Sequence, residues 1–390
     1  MQNDKNNTIT ERLFDKSFIF LNLVFFYVFL NIAFLYLYPL FLKSLGAGKD
    51  LTGWVMGAFS IIAVISRPFM GKIACKKGEY WIISRGLALI LLASLGYNLV
   101  HMVGYHMLLV RILHGIGFSA FIAGSFSLVA TSYPQGKRGE VYGIIGASLM
   151  GATAIGPLFG EELIKVYGFY AIYMAATVSV LLAWMAIILV NGPSRIYNHE
   201  KLSSVQYLPL LRDRSFLFLL ISTFIFAHCQ SSLLNFLALL AAEKGTESGL
   251  FFFLSFSSAI FILLTMGKVI DRFGKLLFLR LSYPVLSLGV LFIPFLLTSY
   301  IFFIPALLCG AGMGLLFPVH NALAAGHGTQ MEKPAVMSLF TAIYDTGFIT
   351  GAVISGWLVR LSNIDMLFFI VGILGFIGFF IAMFSPIREN

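Results

Sequence analysis

Residues Phe18–Leu42 read FIFLNLVFFYVFLNIAFLYLYPLFL, an apolar run without a single charged side chain. A helix that crosses a bilayer needs about 20 mainly apolar residues, so the run reads as a membrane span. The stretch before it, Met1–Lys16, is polar and mixed in charge. The run is too long for a signal h-region and no small-residue cleavage site stands out, so a retained first span is expected.

Eleven further runs of this kind follow: Leu51–Ile73, Trp81–Met102, Tyr105–Thr131, Val141–Phe159, Phe169–Val190, Phe216–Ala242, Leu250–Val269, Leu276–Leu297, Tyr300–Ala325, Ala335–Leu358 and Met366–Ser385. Most connections are short; the longest, Asn191–Ser215, divides the runs six and six. The expectation is an all-α integral membrane protein with 12 transmembrane helices in two pseudo-symmetric six-helix halves. Its parts are an N-terminal tail (1–17), a first half (18–190), a central loop (191–215), a second half (216–386) and a C-terminal tail (387–390).

Composition agrees. Hydrophobic residues make up 59% of the 390, charged residues 11%, and mean hydropathy is +0.91. Soluble domains carry about 25% charged residues, so disordered, nucleic-acid-binding, secreted disulfide-rich and soluble enzyme classes are excluded. The net charge of +9 forms no basic patch. Of the 26 Lys and Arg, five (Lys43, Lys49, Lys165, Lys244, Arg360) fall on one side of the spans, Arg111 falls within a span, and 20 collect on the other side. The positive-inside rule makes the richer side cytoplasmic, with both termini inside the cell's inner membrane. Cys75, Cys229 and Cys309 suggest neither a disulfide framework nor a metal site, and no cofactor motif is present.

The halves superpose at a shift of about 196 residues. Gly71-Lys72-Ile73 matches Gly267-Lys268-Val269; Gly115-Ile116-Gly117 matches Gly310-Ala311-Gly312; Gly151, Gly156 and Gly160 match Gly347, Gly351 and Gly356. A 6+6 duplication is how one large class of transporter is built, with substrate bound between the halves near the midplane.

The stretch Gly267-Lys268-Val269-Ile270-Asp271-Arg272-Phe273-Gly274-Lys275 resembles the loop signature G-x-L-x-D-R-x-G-R of the major facilitator superfamily. The copy Gly71, Lys72 … Gly78 is similar but has Cys75 where the acid would stand. Arg111-Ile112-Leu113-His114-Gly115-Ile116-Gly117 resembles the family's R-x-x-Q-G-x-G. Gly151 … Gly156-Pro157-Leu158-Phe159-Gly160 resembles the fifth-span signature of proton-coupled exporters, and Lys137–Glu140 the loop before it. The resemblance implies a secondary transporter moving a small molecule by alternating access, with protons as coupling ion and no cofactor. Export fits the fifth-span pattern best; uptake symport shares the fold, and a channel is a remoter reading.

Individual residues then acquire candidate roles. Asp271 can accept from unsatisfied amides at a helix N-terminus, by pseudo-symmetry that of span five near Arg138 and Glu140, making Gly71, Lys72, Gly78, Gly267, Asp271, Arg272, Gly274 and Lys275 a gating set. The plain alternative is a basic topology loop. Gly151, Gly156, Pro157, Gly160, Gly347 and Gly351 let helices approach closely, a packing role first and one that also suits rocking between the halves.

Ionisable groups inside spans are costly and usually face a cavity. Asp345 is the carboxylate near the centre of span eleven, and Arg111 and His114 lie one turn apart in span four; these are the proton-coupling candidates, with Arg111 biasing Asp345 or His114. The resemblance implies that spans one, four, seven and ten line the cavity. That makes Tyr27, Asn31, His228, Gln230, Ser232, Asn235, His320 and Asn321 substrate candidates. Each histidine reads equally as a satisfied packing residue, while Tyr36 and Tyr38 read as interfacial anchors. The expected partners are a small-molecule substrate, protons and the lipid bilayer, with no nucleic acid and a monomeric chain.

Overall fold

A computed structural model describes residues 16–133, 138–190, 207–328 and 332–386. The central stretch 191–206, the tails before 16 and after 386, and the side chains of Arg138 and Asp271 lie outside the described residues.

Twelve membrane-crossing elements follow one another among the described residues. Span one is Lys16–Phe34, a 3-10 turn Leu35–Leu37, then Tyr38–Ser44; span two is Lys49–Lys77, three Glu79–Tyr97, four Tyr105–Ser132, five Arg138–Tyr167 and six Phe169–Ile188. After a short helix Tyr207–Arg212, span seven is Arg214–Glu243, eight Gly249–Thr265, nine Lys275–Leu296, ten Phe303–Gly326, eleven Lys333–Leu361 and twelve Ile364–Met383. Span eight has 17 residues; the other eleven are long and apolar enough to cross a membrane by themselves.

Two expected runs are interrupted. Pro39 lacks an N–H and its ring crowds the carbonyl of residue 35, so span one tightens into the 3-10 turn before restarting. The run Leu250–Val269 divides at Met266, and Gly267–Phe273 forms a separate short helix in the loop.

The repeat is visible as packing. Gly115 brings span four onto span two at Phe59, and Gly310 brings span ten onto span eight at Ser255. Gly117 meets span three at Gly86 and Ile90, and Gly312 meets span nine at Leu286. Gly156 lies against Ala33 of span one, and its counterpart Gly351 against His228 and Ser231 of span seven. The loop glycines Gly78 and Gly274 adopt φ of 91° and 93°, a left-handed backbone that glycine takes without steric cost.

The correspondence breaks where the halves meet. Gly160 packs on Phe34 and Leu37 within the first half, whereas Gly356 packs on Lys49 and Gly53 across the halves. Gly347 and Gly351 meet span seven of their own half, so they do not form an inter-half seam; a Cβ at Gly151 would meet nothing within 4 Å. The close inter-half contacts come instead from Gly53 and Gly57 against Ala352, Val353 and Gly356, and from Gly249 against Leu158. Pro157 is buried inside span five, next to Gly156.

Candidate functional site

Asp345 pairs with Arg67 of span two, and the ion pair joins the two halves. Arg67 is ten residues and Asp345 twelve residues from the helix ends on the Lys/Arg-rich face. At 1.5 Å per residue both lie roughly 15 Å or more inside the spans. Arg67, counted among the 20 cations of the richer side, lies inside span two, which continues unbroken past Pro68 to Lys77. Arg111 is not the partner of Asp345, because its guanidinium is held elsewhere. Ser338 and Thr341, on the same helix face as Asp345, are exposed.

Arg111 is 5% exposed. Its Nε donates to the Val55 carbonyl (3.2 Å), one terminal nitrogen to the Met56 carbonyl (3.3 Å) and the other to the Tyr97 hydroxyl (3.4 Å). Tyr97 in turn lies 3.2 Å from His114 Nδ1. Arg111 and His114 line a narrow cavity between the halves with Ile32, Leu35, Tyr36, Met56, Phe59, Ser60, Asn235 and Phe348.

Three cavity candidates are moved by the structure. Asn31 is buried and donates to Ser94 of span three and to the Ala176 carbonyl of span six, both at 2.8 Å, so it ties the first half together. His320 is sealed inside the second half: Nδ1 donates to the Leu316 carbonyl (2.7 Å), leaving Nε2 to accept from Ser222 (2.8 Å). Ser232 is spent on the His228 carbonyl and Ser355 Oγ, each at 2.8 Å. His228 is buried beside Thr350 Oγ1 at 3.1 Å. Asn235 reaches the cavity, its amide held by Ser231. Gln230 accepts from Tyr344 at 2.7 Å; Tyr27 and Asn321 are half-buried.

Tyr38 is not an interfacial anchor. It is fully buried in a ring cluster with Tyr97, Tyr173 and Phe41, and the Arg111 guanidinium sits 5.9 Å from its ring. Tyr36 stacks on Phe252 of span eight, 6.3 Å between centroids, and lines the cavity.

In the loops, Gly71 and Gly267 have open space around them, Lys72 and Arg272 are exposed, and Lys275 is half-buried at the start of span nine. The expected contact between Asp271 and the start of span five rests on side chains outside the described residues. In the first-half loop, Glu79 is buried and accepts from Ser127 of span four at 3.3 Å, so it turns into its own half.

One group was missed in the sequence. Glu161 of span five, 8% exposed, accepts from the Ser248 amide (2.8 Å), the Ser248 hydroxyl (2.6 Å) and the Gly249 amide (2.7 Å). It caps the N-terminus of span eight across the halves, where unsatisfied amides and the helix dipole favour an anion. Its signal was faint: Glu161 and Glu162 both follow Gly160 at the end of the apolar run, and nothing in their position separates the buried one from its neighbour.

Around this cap the face opposite the Lys/Arg-rich one is sealed. Lys49 pairs with Glu243 (2.7 Å), Arg360 with Asp50 (2.7 Å) and Lys165 with Glu247 (2.6 Å), all between halves. Toward the Lys/Arg-rich face the packing of span five is looser: a Cβ at Gly143 or Gly151 would meet nothing within 4 Å, and one at Gly146 would meet only Leu263 of span eight, at 3.8 Å. A duplicated helical bundle with a cavity between its halves is the architecture of a membrane transporter.

The chain belongs to the Major Facilitator Superfamily, whose model matches residues 19–301 and again 219–389. Among its relatives, the multidrug resistance protein MdtG of Enterobacter lignolyticus is 27% identical over 339 residues, 81% of this chain and 79% of that protein. The multi-drug resistance efflux pump PmrA of Streptococcus pneumoniae is 26% identical over 341 residues, 81% of each chain. Of solved structures, the nucleoside transporter NupG shares the fold, with a TM-score of 0.77, 14% identity and coverage of 95% and 100% of the two chains.

Proposed function

We propose that this protein exports small molecules across the cytoplasmic membrane in exchange for protons. The observation that carries the reading is the Arg67–Asp345 pair, which joins spans two and eleven across the halves in the part of the bundle nearer the Lys/Arg-rich face. The pair exists only while Asp345 is ionised. A proton arriving at Asp345 dissolves it and removes one inter-half contact of this state; release of that proton re-forms it. A carboxylate whose protonation changes the balance between two states is what exchange of substrate for protons requires. The relatives named for multidrug efflux support the outward direction.

On this reading the Lys/Arg-rich face and both termini are cytoplasmic, the division between halves falls at 191–215, and the state described is the inward-open one. Substrate enters from the cytoplasm, reaches the cavity beside Arg111 and His114, and leaves after the Glu161 cap and its neighbouring ion pairs break.

The test is accumulation of a panel of labelled lipophilic compounds in everted vesicles, with and without an imposed proton gradient, acid inside. The expected result is saturable accumulation that appears only with the gradient. Accumulation driven by an acid-outside gradient and not by an acid-inside one would establish a symporter, and flux that neither saturates nor follows the gradient would establish a channel.

A further inference from the structure

We propose that the central cavity is a site for organic anions, whose acid group sits on Arg111 and His114 and whose apolar body lies against Ile32, Leu35, Phe59 and Phe348. The proposal rests on the transport reading for its physiological meaning and on the cavity's chemistry for its content. Arg111 is always charged and buried, yet forms no ion pair with a carboxylate among the described residues. Its hydrogen bonds go to two carbonyls and a phenol, and its guanidinium lies 5.0 Å from the Phe59 ring. A cation in a membrane interior is expensive and usually paired, so a cavity-lining guanidinium without a counter-ion has a place for one.

The second observation is independent. His114 is fully buried, lines the same cavity, and its Nε2 has no partner among the described residues. Tyr97 accepts from Arg111, and its one hydroxyl proton has His114 Nδ1 as its acceptor among the described residues. In that tautomer the ring carries its proton on Nε2. The cavity thus presents a guanidinium and an unanswered N–H donor, with no acid beside them among its lining residues. A carboxylate or sulfonate satisfies both; a cation satisfies neither. The free volume of the cavity in this state is about 30 Å³, room for the acid group alone; the remaining lining residues are largely apolar or aromatic, so an apolar body on the same molecule meets them once the halves move apart.

The experiment is equilibrium binding to purified full-length protein in detergent, with no ion gradient, so that it can fail while gradient-driven transport stands, and the reverse. The probes are benzoate, 2-naphthoate and pyrene-1-carboxylate, each beside its uncharged amide, with 2-naphthylmethylammonium as the cation. At least one acid is expected to bind about tenfold or more tighter than its amide, the size of one charge-assisted interaction, with the cation weakest. His114→Phe, which keeps a ring against Phe59 and Tyr97, is expected to weaken that acid more than its amide and so narrow the preference between them. Because Arg111→Gln can fail to fold, the wild-type ligand series and His114→Phe carry the decision. No acid preferred over its amide, including no acid binding at all, overturns the proposal, as does tightest binding by the cation. An acid preference that His114→Phe leaves intact overturns the placement on His114.

Discussion

Arg67 and Asp345 sit 278 positions apart in the chain, on helices of different halves. An isolated charge near a span centre costs about 2.5–3.5 kcal/mol or more, and each of these is the other's compensation. Both side chains remain partly open, at 28% and 16% exposure, so the pair contributes less than a sealed one would. On the proposed reading its weight is in coupling. Asp345→Asn is expected to abolish proton-driven transport in proteoliposomes while downhill exchange persists; driven transport at the wild-type rate would remove Asp345 from the coupling role. Exchanging the charges, Arg67→Asp with Asp345→Arg, is expected to restore folded yield relative to either single change, read as monodisperse protein on gel filtration. Sequence reading finds Asp345, because one carboxylate in a long apolar run stands out. It does not find Arg67 as the partner, because helical periodicity assigns a face and says nothing of which distant helix covers it. Tyr38 was misread for a related reason: an aromatic near a span end looks the same whether it meets headgroups or, as here, a buried ring cluster.

At the scale of the helix, the duplicated glycines are the part of the fold most legible beforehand. Their spacing alone predicted a shift of about 196, and three matched pairs, Gly115 with Gly310, Gly117 with Gly312 and Gly156 with Gly351, pack on matched spans. Which glycines lie between the halves was not legible, since a small residue fits either kind of contact. Gly310 is closed against the Ser255 backbone and Gly151 faces open space. Gly310→Val is therefore expected to lose about 1–3 kcal/mol by overpacking, seen as a lowered Tm in detergent, while Gly151→Ala is expected to be neutral or to gain up to about 1 kcal/mol from helix propensity. Equal losses from both would mean that span five packs closely along its whole length.

The whole molecule is held shut at one face by the Glu161 cap and three ion pairs, with the Arg67–Asp345 pair set deeper. Glu161→Gln keeps the shape but weakens charge-assisted bonds worth about 1.5–3 kcal/mol. It is expected to raise labelling of a Ser60→Cys cavity probe by an impermeant maleimide supplied to that face; unchanged labelling would reduce the cap to local helix stabilisation. The central claim is that protonation of Asp345 biases a rocking motion between two states. Spin labels at Lys76 and Arg272 report the Lys/Arg-rich face, and labels at Ser44 and Ser362 the sealed face, all four positions being exposed. Pulsed electron–electron distance measurement of both pairs, with Asp345 intact and with Asp345→Asn as a stand-in for its protonated form, tests the claim most directly. The expected result is a shift of population to shorter distances at the first pair together with longer ones at the second. Distances that stay fixed in both pairs, or that change in the same sense, would contradict it.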